Sequence, residues 1–168
     1  MKILSLHVDY INFKPLKKAL KQIDELSEKE KEGQKVGESL VILTAVEKGD
    51  TLKESVKELV KNIKEIADQV KAKNIVLYPY AHLSSNLASP DDAIAILKDA
   101  EKELKKSFKV LRAPFGYYKE FELKVKGHPL SELSRNFSSV KDMYHTTPMK
   151  KVSEDYDPKK LLHEMSKS

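Results

Sequence analysis

Residues 39–80 read SLVILTAVEKGDTLKESVKELVKNIKEIADQVKAKNIVLYPY, and three patterns follow one another within them. The run SLVILTAVEK is apolar without alternation and of strand length, which places it inside a sheet covered on both faces. Leu52, Val56, Leu59, Ile63, Ile66 and Val70 then recur at helical spacing, and Asn74 to Tyr80 returns to an apolar strand. Strand, helix, strand in this order makes a parallel, right-handed βαβ unit. That unit sets the class of the whole chain as α/β.

Working outward, a second helix begins at Ser89, where the serine caps, Pro90 fits the first helical position, and Asp91 and Asp92 suit the positive end of the helix dipole. Ile94, Leu97 and Leu104 face inward. Upstream, Ile3 to Phe13 alternates as a first strand, with Leu4, Leu6, Val8 and Tyr10 on one face. Leu16, Leu20, Ile23 and Leu26 are spaced for a short amphipathic helix, followed by a charged loop up to residue 37. Downstream, FKVLRAP and YKEFELKVK supply two more strands. The expected architecture is a layered α/β domain of ββαβαββ order, with one early helix unsettled. Residues 138–168 turn Ser-rich, then polar and proline-containing, and read as a linker or tail with a short helix at Lys159 to Met165.

The stretch APFGYYKEFELKVKGHPLSE, residues 113–132, holds the most unusual residue. Counting by twos, Tyr117, Lys119, Phe121, Leu123 and Val125 share one face of the strand, so Lys119 falls on the side that should be buried. An ammonium there must find partners or snorkel out, and desolvation lowers its pKa. The opposing possibility is a bulge near Tyr118 that turns the lysine to solvent.

Two other segments carry candidate chemistry. YPYAHLSSNLASP follows a buried strand, so His82 falls just past that strand's carboxyl end, where open α/β sheets place ligands. The serines after it are placed to cap a helical turn with free amides. GHPLSEL makes a turn and then presents Glu132. His82 has a bland reading as a packing residue, and Glu132 as a surface carboxylate. His7 and Asp9 share a strand face and read as its solvent side.

Bulk properties narrow the classes. The chain has 168 residues and 40% hydrophobic content, enough for a core of its own. It has no cysteine, which excludes disulfides and thiolate catalysis. The net charge of +5 permits phosphate contacts without requiring them, because acidic residues interleave with basic ones. No apolar run approaches membrane-spanning length, so a cytoplasmic protein without a membrane partner is expected. The five histidines show no metal-type pairing, and no GxGxxG, P-loop or GxSxG motif occurs; neither metal nor other cofactor is expected.

Taken together, KILSLHVDYI, SLVILTAVEK, NIVLYPYAHLSSNLASP and APFGYYKEFELKVKGHPLSELSR resemble the N-terminal editing domain of archaeal-type threonyl-tRNA synthetases over about the first 137 residues. The resemblance implies a D-aminoacyl-tRNA deacylase-like fold over 1–137 and removal of serine from mischarged tRNA(Thr) by ester hydrolysis. It further implies catalytic roles for Lys119, Tyr118, His82 and Glu132. Backbone around Val46, Pro79, Ala81, Phe115 and Gly116 would hold the terminal adenosine and the seryl group, and the RNA's own 2′-hydroxyl would help activate water. The implied partners are the aminoacylated 3′ end of tRNA(Thr), the remaining domains of the synthetase and a second copy in a homodimer. The class II synthetase motifs are not visible in these residues, so aminoacylation is not expected of them. A D-aminoacyl-tRNA deacylase of the same fold, a non-catalytic RNA-binding module and a dimerisation domain remain as alternatives.

Overall fold

The computed structural model of the chain describes residues 1–138. The sequence reading of 138–168 as a polar tail, with its short helix, lies outside the described residues from 139 onward. The elements are β1 (Lys2–Lys18), α1 (Glu28–Lys31), β2 (Gln34–Val36), β3 (Ser39–Ala45), α2 (Leu52–Val70), β4 (Asn74–Pro79), α3 (Pro90–Leu104), β5 (Lys109–Arg112), β6 (Tyr117–Val125) and β7 (Glu132–Asn136). The α/β class and layered build are those expected, but two strands are added. Neither β2 nor β7 shows in the sequence, because QKV is too short to alternate and ELSRN is largely polar.

One seven-stranded sheet carries everything, in the order β2-β1-β3-β4-β5, with β6 and β7 also paired to β1. The βαβ unit is as read: β3 and β4 run parallel, with Leu40 opposite Ile75 and Leu43 opposite Tyr78. All seven residues of β3 are buried, because the sheet is covered on both sides. On one face Leu40, Ile42, Ile75 and Leu77 meet Leu59, Ile63 and Ile66 of α2 and Ile96 and Leu97 of α3. Each such fully buried aliphatic side chain contributes roughly 1.5–3 kcal/mol relative to exposure. Ser89 caps α3 as expected, its side chain accepting from Asp92 N at 3.2 Å.

The other face is covered by the sheet itself. β1 is long enough that its first half pairs with β3 and β7, while its second half pairs with β2 and β6. Its register against β6 shifts twice, between Val8 and Tyr10 and between Pro15 and Lys18. In each case the extra residue is on β1, and such bulges bend a strand and increase its twist. The curl brings Leu6, Val8, Ile11 and Phe13 together with Val41, Leu43, Val76 and Tyr78.

These bulges correct two sequence readings. The first shift exchanges the faces of β1, so Ile11 and Phe13, not Tyr10, continue the apolar face of Leu6 and Val8. Strand pairing also continues through Leu16 to Lys18, so no helix forms over Leu16–Leu26; the helix in this region is the single turn α1. His7 is also not on a solvent side. It is 4% exposed, with its Nδ1 at 2.8 Å from His128 Nε2.

Candidate active site

At the carboxyl ends of β3 and β4 lies a cleft of about 460 Å³. The parallel pairing ends with Thr44 opposite Pro79, and the chain leaving β4 stays tied to β3, with Tyr80 N donating to Thr44 O at 2.8 Å. His82 sits in a short helical turn, Ala81–Leu83, immediately beyond. The loops here are stitched together by Ala88 N to Val46 O and Lys48 N to Asn86 O, each 3.0 Å. Ser84 braces the same loop, donating to Glu47 Oε2 at 2.6 Å and accepting from Asn86 N at 3.0 Å. Ser84 also caps the turn at its carboxyl end, through its backbone N–H donating to Ala81 O at 3.3 Å. Burial pushes Glu47 up, but the Ser84 hydrogen bond and the Met1 ammonium more than offset this and hold the carboxyl below its usual range.

The opposite wall comes from the segment before β6 and from β6 itself. Gly116 adopts φ +81°, a left-handed conformation that favours glycine. Its carbonyl accepts from Ala19 N at 2.8 Å and Leu20 N at 3.4 Å, tying the end of β1 to the cleft wall. Lys119 pairs across to Pro15, just before the second bulge. Since the extra residue is on β1, the parity of β6 is undisturbed and the lysine keeps the inward direction that alternation gives it.

Lys119 Nζ donates to Pro114 O at 2.8 Å and Tyr117 O at 3.0 Å. It also lies 5.2 Å from the centroid of the Tyr78 ring. All three neighbours are neutral, and burial pulls the ammonium's pKa down from 10.5 to about 8. An ammonium has three N–H donors, and two are used by carbonyls; the third remains for a group entering the cleft. Tyr78 is itself 2% exposed, and burial pushes its phenol well above the ordinary value. The rings of Tyr78, Tyr80 and His82 form a chain, with centroids 6.4 and 5.1 Å apart in turn. That chain links the floor beneath the lysine to the histidine at the rim.

The cleft therefore assembles most of the residues singled out in the sequence. His82, Tyr118 and Lys119 line it, as do Val46, Pro79, Ala81, Phe115 and Gly116. Tyr118 is a rim residue at 55% exposure, with Lys17 Nζ 5.7 Å from its ring centroid. Glu132 is not brought to the cleft: it opens β7, exposed, opposite Leu6. Thr44, Tyr78 and Tyr80 line the cleft without having been singled out. Tyr78 and Tyr80 stood within the quoted YPYAH segment, but nothing in a period-two pattern marks an aromatic as the support of a cation. Among the described residues no group of three or more His, Asp or Glu side chains converges as metal ligands.

Residues 1–137 match the model of the archaea-specific editing domain of threonyl-tRNA synthetase. The chain belongs to that family. The editing domain is 53% identical over 138 residues to a threonine-tRNA ligase of Thermococcus sibiricus, a match covering 80% of this chain and 22% of that protein. It is 51% identical over 142 residues to the ligase of Methanobrevibacter smithii, covering 83% and 23%. The ligase of Staphylothermus marinus matches at 44% over 177 residues, 98% of this chain and 28% of that one. The chain thus spans about a quarter of the length of these relatives. Among solved structures, the c-Myc DNA unwinding element binding protein superposes with a TM-score of 0.60 at 12% identity, over 83% of this chain and all of that one. At that identity the likeness concerns the fold alone, which is the D-aminoacyl-tRNA deacylase-like one. No helix among the described residues is long and apolar enough to cross a membrane.

Proposed function

We propose that the domain hydrolyses the ester of L-seryl-tRNA(Thr), releasing serine from the terminal adenosine. The observation that carries this reading is Lys119, an ammonium in the wall of a cleft at the sheet's carboxyl end, with no carboxylate among the described residues neutralising it. In the reaction, water attacks the acyl carbon, negative charge develops on the carbonyl oxygen, and the bond to the ribose oxygen breaks with a proton passing to that oxygen. A fixed cation whose position is held by two carbonyls stabilises the developing charge without moving during the step. The neighbouring 2′-hydroxyl of the adenosine helps activate the water, so the protein needs no nucleophile, metal or cofactor of its own.

Serine and threonine differ by one methyl group, which an apolar pocket discriminates by only ~1–3 kcal/mol. An editing step must therefore place water productively for serine and not for threonine. His82 and Tyr118, on the rim of the cleft, shape this choice, while Lys119 sets the rate. Glu132 stands outside this scheme, because its exposed position on β7 gives it no part in the cleft of a single chain. The domain would act in the cytoplasm on the product of the threonyl-tRNA synthetase whose other domains charge the tRNA.

The test presents L-seryl, L-threonyl and D-aminoacyl esters of tRNA(Thr) to the chain and to Lys119→Met. Rapid loss of the L-seryl ester alone, abolished in the variant, is the expected result. Preferential cleavage of the D-ester would instead make it a chirality-selective deacylase, and wild-type turnover by a folded Lys119→Met would remove the lysine from the chemistry.

A further inference from the structure

Away from the cleft, the outer faces of α2 and α3 leave between them a groove of about 740 Å³. Its floor is apolar, formed by Leu52, Val56 and Val60, and lysines stand along its sides: Lys53, Lys57, Lys61 and Lys64 on α2, with Lys102 across from them on α3. At 100° per residue the four lysines of α2 fall within about 80° of arc, and successive members at a spacing of four lie about 6 Å apart along the axis. They form one continuous stripe.

Two of the three acidic residues lining this groove are taken by cations outside it. Glu65 is taken by Arg135, whose Nη1 lies 2.9 Å from its carboxylate, and Glu103 is taken by Lys106 at 3.0 Å. Asp99 is the remaining acidic residue of the lining. None of the five lysines is within ion-pair distance of a carboxylate among the described residues. Glu54 and Glu58 lie about 20° and 60° beyond the Lys61 edge of the stripe, and exposed Asp68 falls within its arc one turn past Lys64, where the stripe ends. The stripe also runs toward the cleft: Lys53 stands in the first turn of α2, and exposed Lys48 lies in the preceding loop, two residues after Val46 of the cleft wall.

We propose that this stripe is a binding surface for the phosphate backbone of RNA, holding the base-paired stem whose single-stranded 3′ end enters the cleft. The inference rests on the proposed substrate, and it adds the surface that would hold the part of the substrate remote from the ester. A row of unpaired cations on a rigid helix, spaced one turn apart, is suited to a polyanion with regularly repeated charges. Contacts of this kind position the RNA and carry no sequence information.

The test compares the chain with a variant carrying Lys53→Gln, Lys57→Gln, Lys61→Gln and Lys64→Gln, all exposed positions whose exchange leaves the buried face of α2 intact. Binding of an unacylated stem-loop RNA with a single-stranded 3′ end is measured across salt concentrations, beside cleavage of seryl-tRNA and of the seryl ester of adenosine alone. With roughly 0.7–0.9 counterion per phosphate contact, the variant's log–log salt slope should be shallower by about 3, and binding at low salt weaker by at least about tenfold. Cleavage of seryl-tRNA should lose kcat/KM through KM, while cleavage of seryl-adenosine stays unchanged. The fourfold Lys→Arg variant should keep the wild-type slope. An unchanged slope would overturn the proposal, as would an equal loss on both esters. Failure of the wild-type chain to cleave either ester would instead refute the deacylase reading, and the salt slope would still decide the RNA surface.

Discussion

Lys119 and Lys126 stand seven residues apart, one within β6 and one just past its end, and their surroundings push them in opposite directions. Lys126 is held by Asp9 at 2.6 Å and Glu38 at 3.2 Å, and the Asp9 hydrogen bond, followed by that to Glu38, raises its pKa. Lys119 has two carbonyls and a ring face, and burial lowers it to about 8. The first lysine is neutralised and joins β6 to the bulge of β1. The second is left charged in a sheltered cleft, where its field is available to a substrate. The same residue type, seven residues along the same segment, becomes a fastening or a reactive group according to whether a carboxylate is within reach.

The largest effect expected from breaking this contrast is at Lys119. Lys119→Met should lower kcat/KM for seryl-tRNA by about 10²–10³ or more, the usual scale for loss of an oxyanion-stabilising group. It should also make the fold more stable at pH 7, by roughly 1–3 kcal/mol after allowing for solvent screening of a partly exposed head group. The sign follows from the folded value of about 8 against 10.5 unfolded. Between these values the unfolded chain binds more protons, so wild-type stability rises with pH across that window, and the variant's advantage should disappear by about pH 10.5. Denaturant melts at pH 7 and pH 10.5 check both statements. A variant that is less active and also less stable would indicate that the ammonium serves the fold.

Next in size is the backbone that frames the lysine. At Gly116 a Cβ would stand 2.9 Å from the Ile23 side chain, in a left-handed backbone conformation that costs an L-residue roughly 1–2 kcal/mol. Gly116→Ala should therefore cost about that much stability and reduce deacylation about tenfold, as seen in parallel melting and rate measurements. His82→Ala, at the rim, should change activity less than Lys119→Met and should alter the ratio of seryl to threonyl cleavage, read from the two esters side by side. Lys126→Gln should change kcat/KM by less than twofold, and its consequence should be confined to the β1–β6 junction. If Lys126→Gln matched Lys119→Met in activity, the contrast between the two lysines would lose its meaning.

The parts of the molecule that were legible in its sequence are those with a single dominant period. The β3-α2-β4 unit was plain because β3 and β4 are covered on both faces and the buried face of α2 repeats at helical spacing. Lys119 was legible for the same reason, since period-two alternation in β6 placed it inward. What alternation could not supply was the site of the irregularity: a bulge was foreseeable near Tyr118, but on β6, and the extra residue is on β1. The bulges of β1 also exchanged its faces between Val8 and Ile11 and carried the strand on to Lys18, so a local pattern suggesting a helix gave way to pairing with β6. β7 pairs with β1 through its backbone and shows few apolar side chains, so its sequence resembles a loop. Eight of the residues that the resemblance implied for the site line the cleft, while Glu132 is not among its lining residues, because β7 carries it along the other half of β1, opposite Leu6.

The most direct measurement is a proton titration of the Lys119 side chain, followed by NMR of 13C-lysine-labelled chain and assigned by the resonance that Lys119→Met removes. A midpoint near 8 is the expected result, since burial without a counter-charge must loosen that proton. A midpoint near the ordinary 10.5 would mean that the ammonium is solvated or paired, and would contradict the account of the cleft.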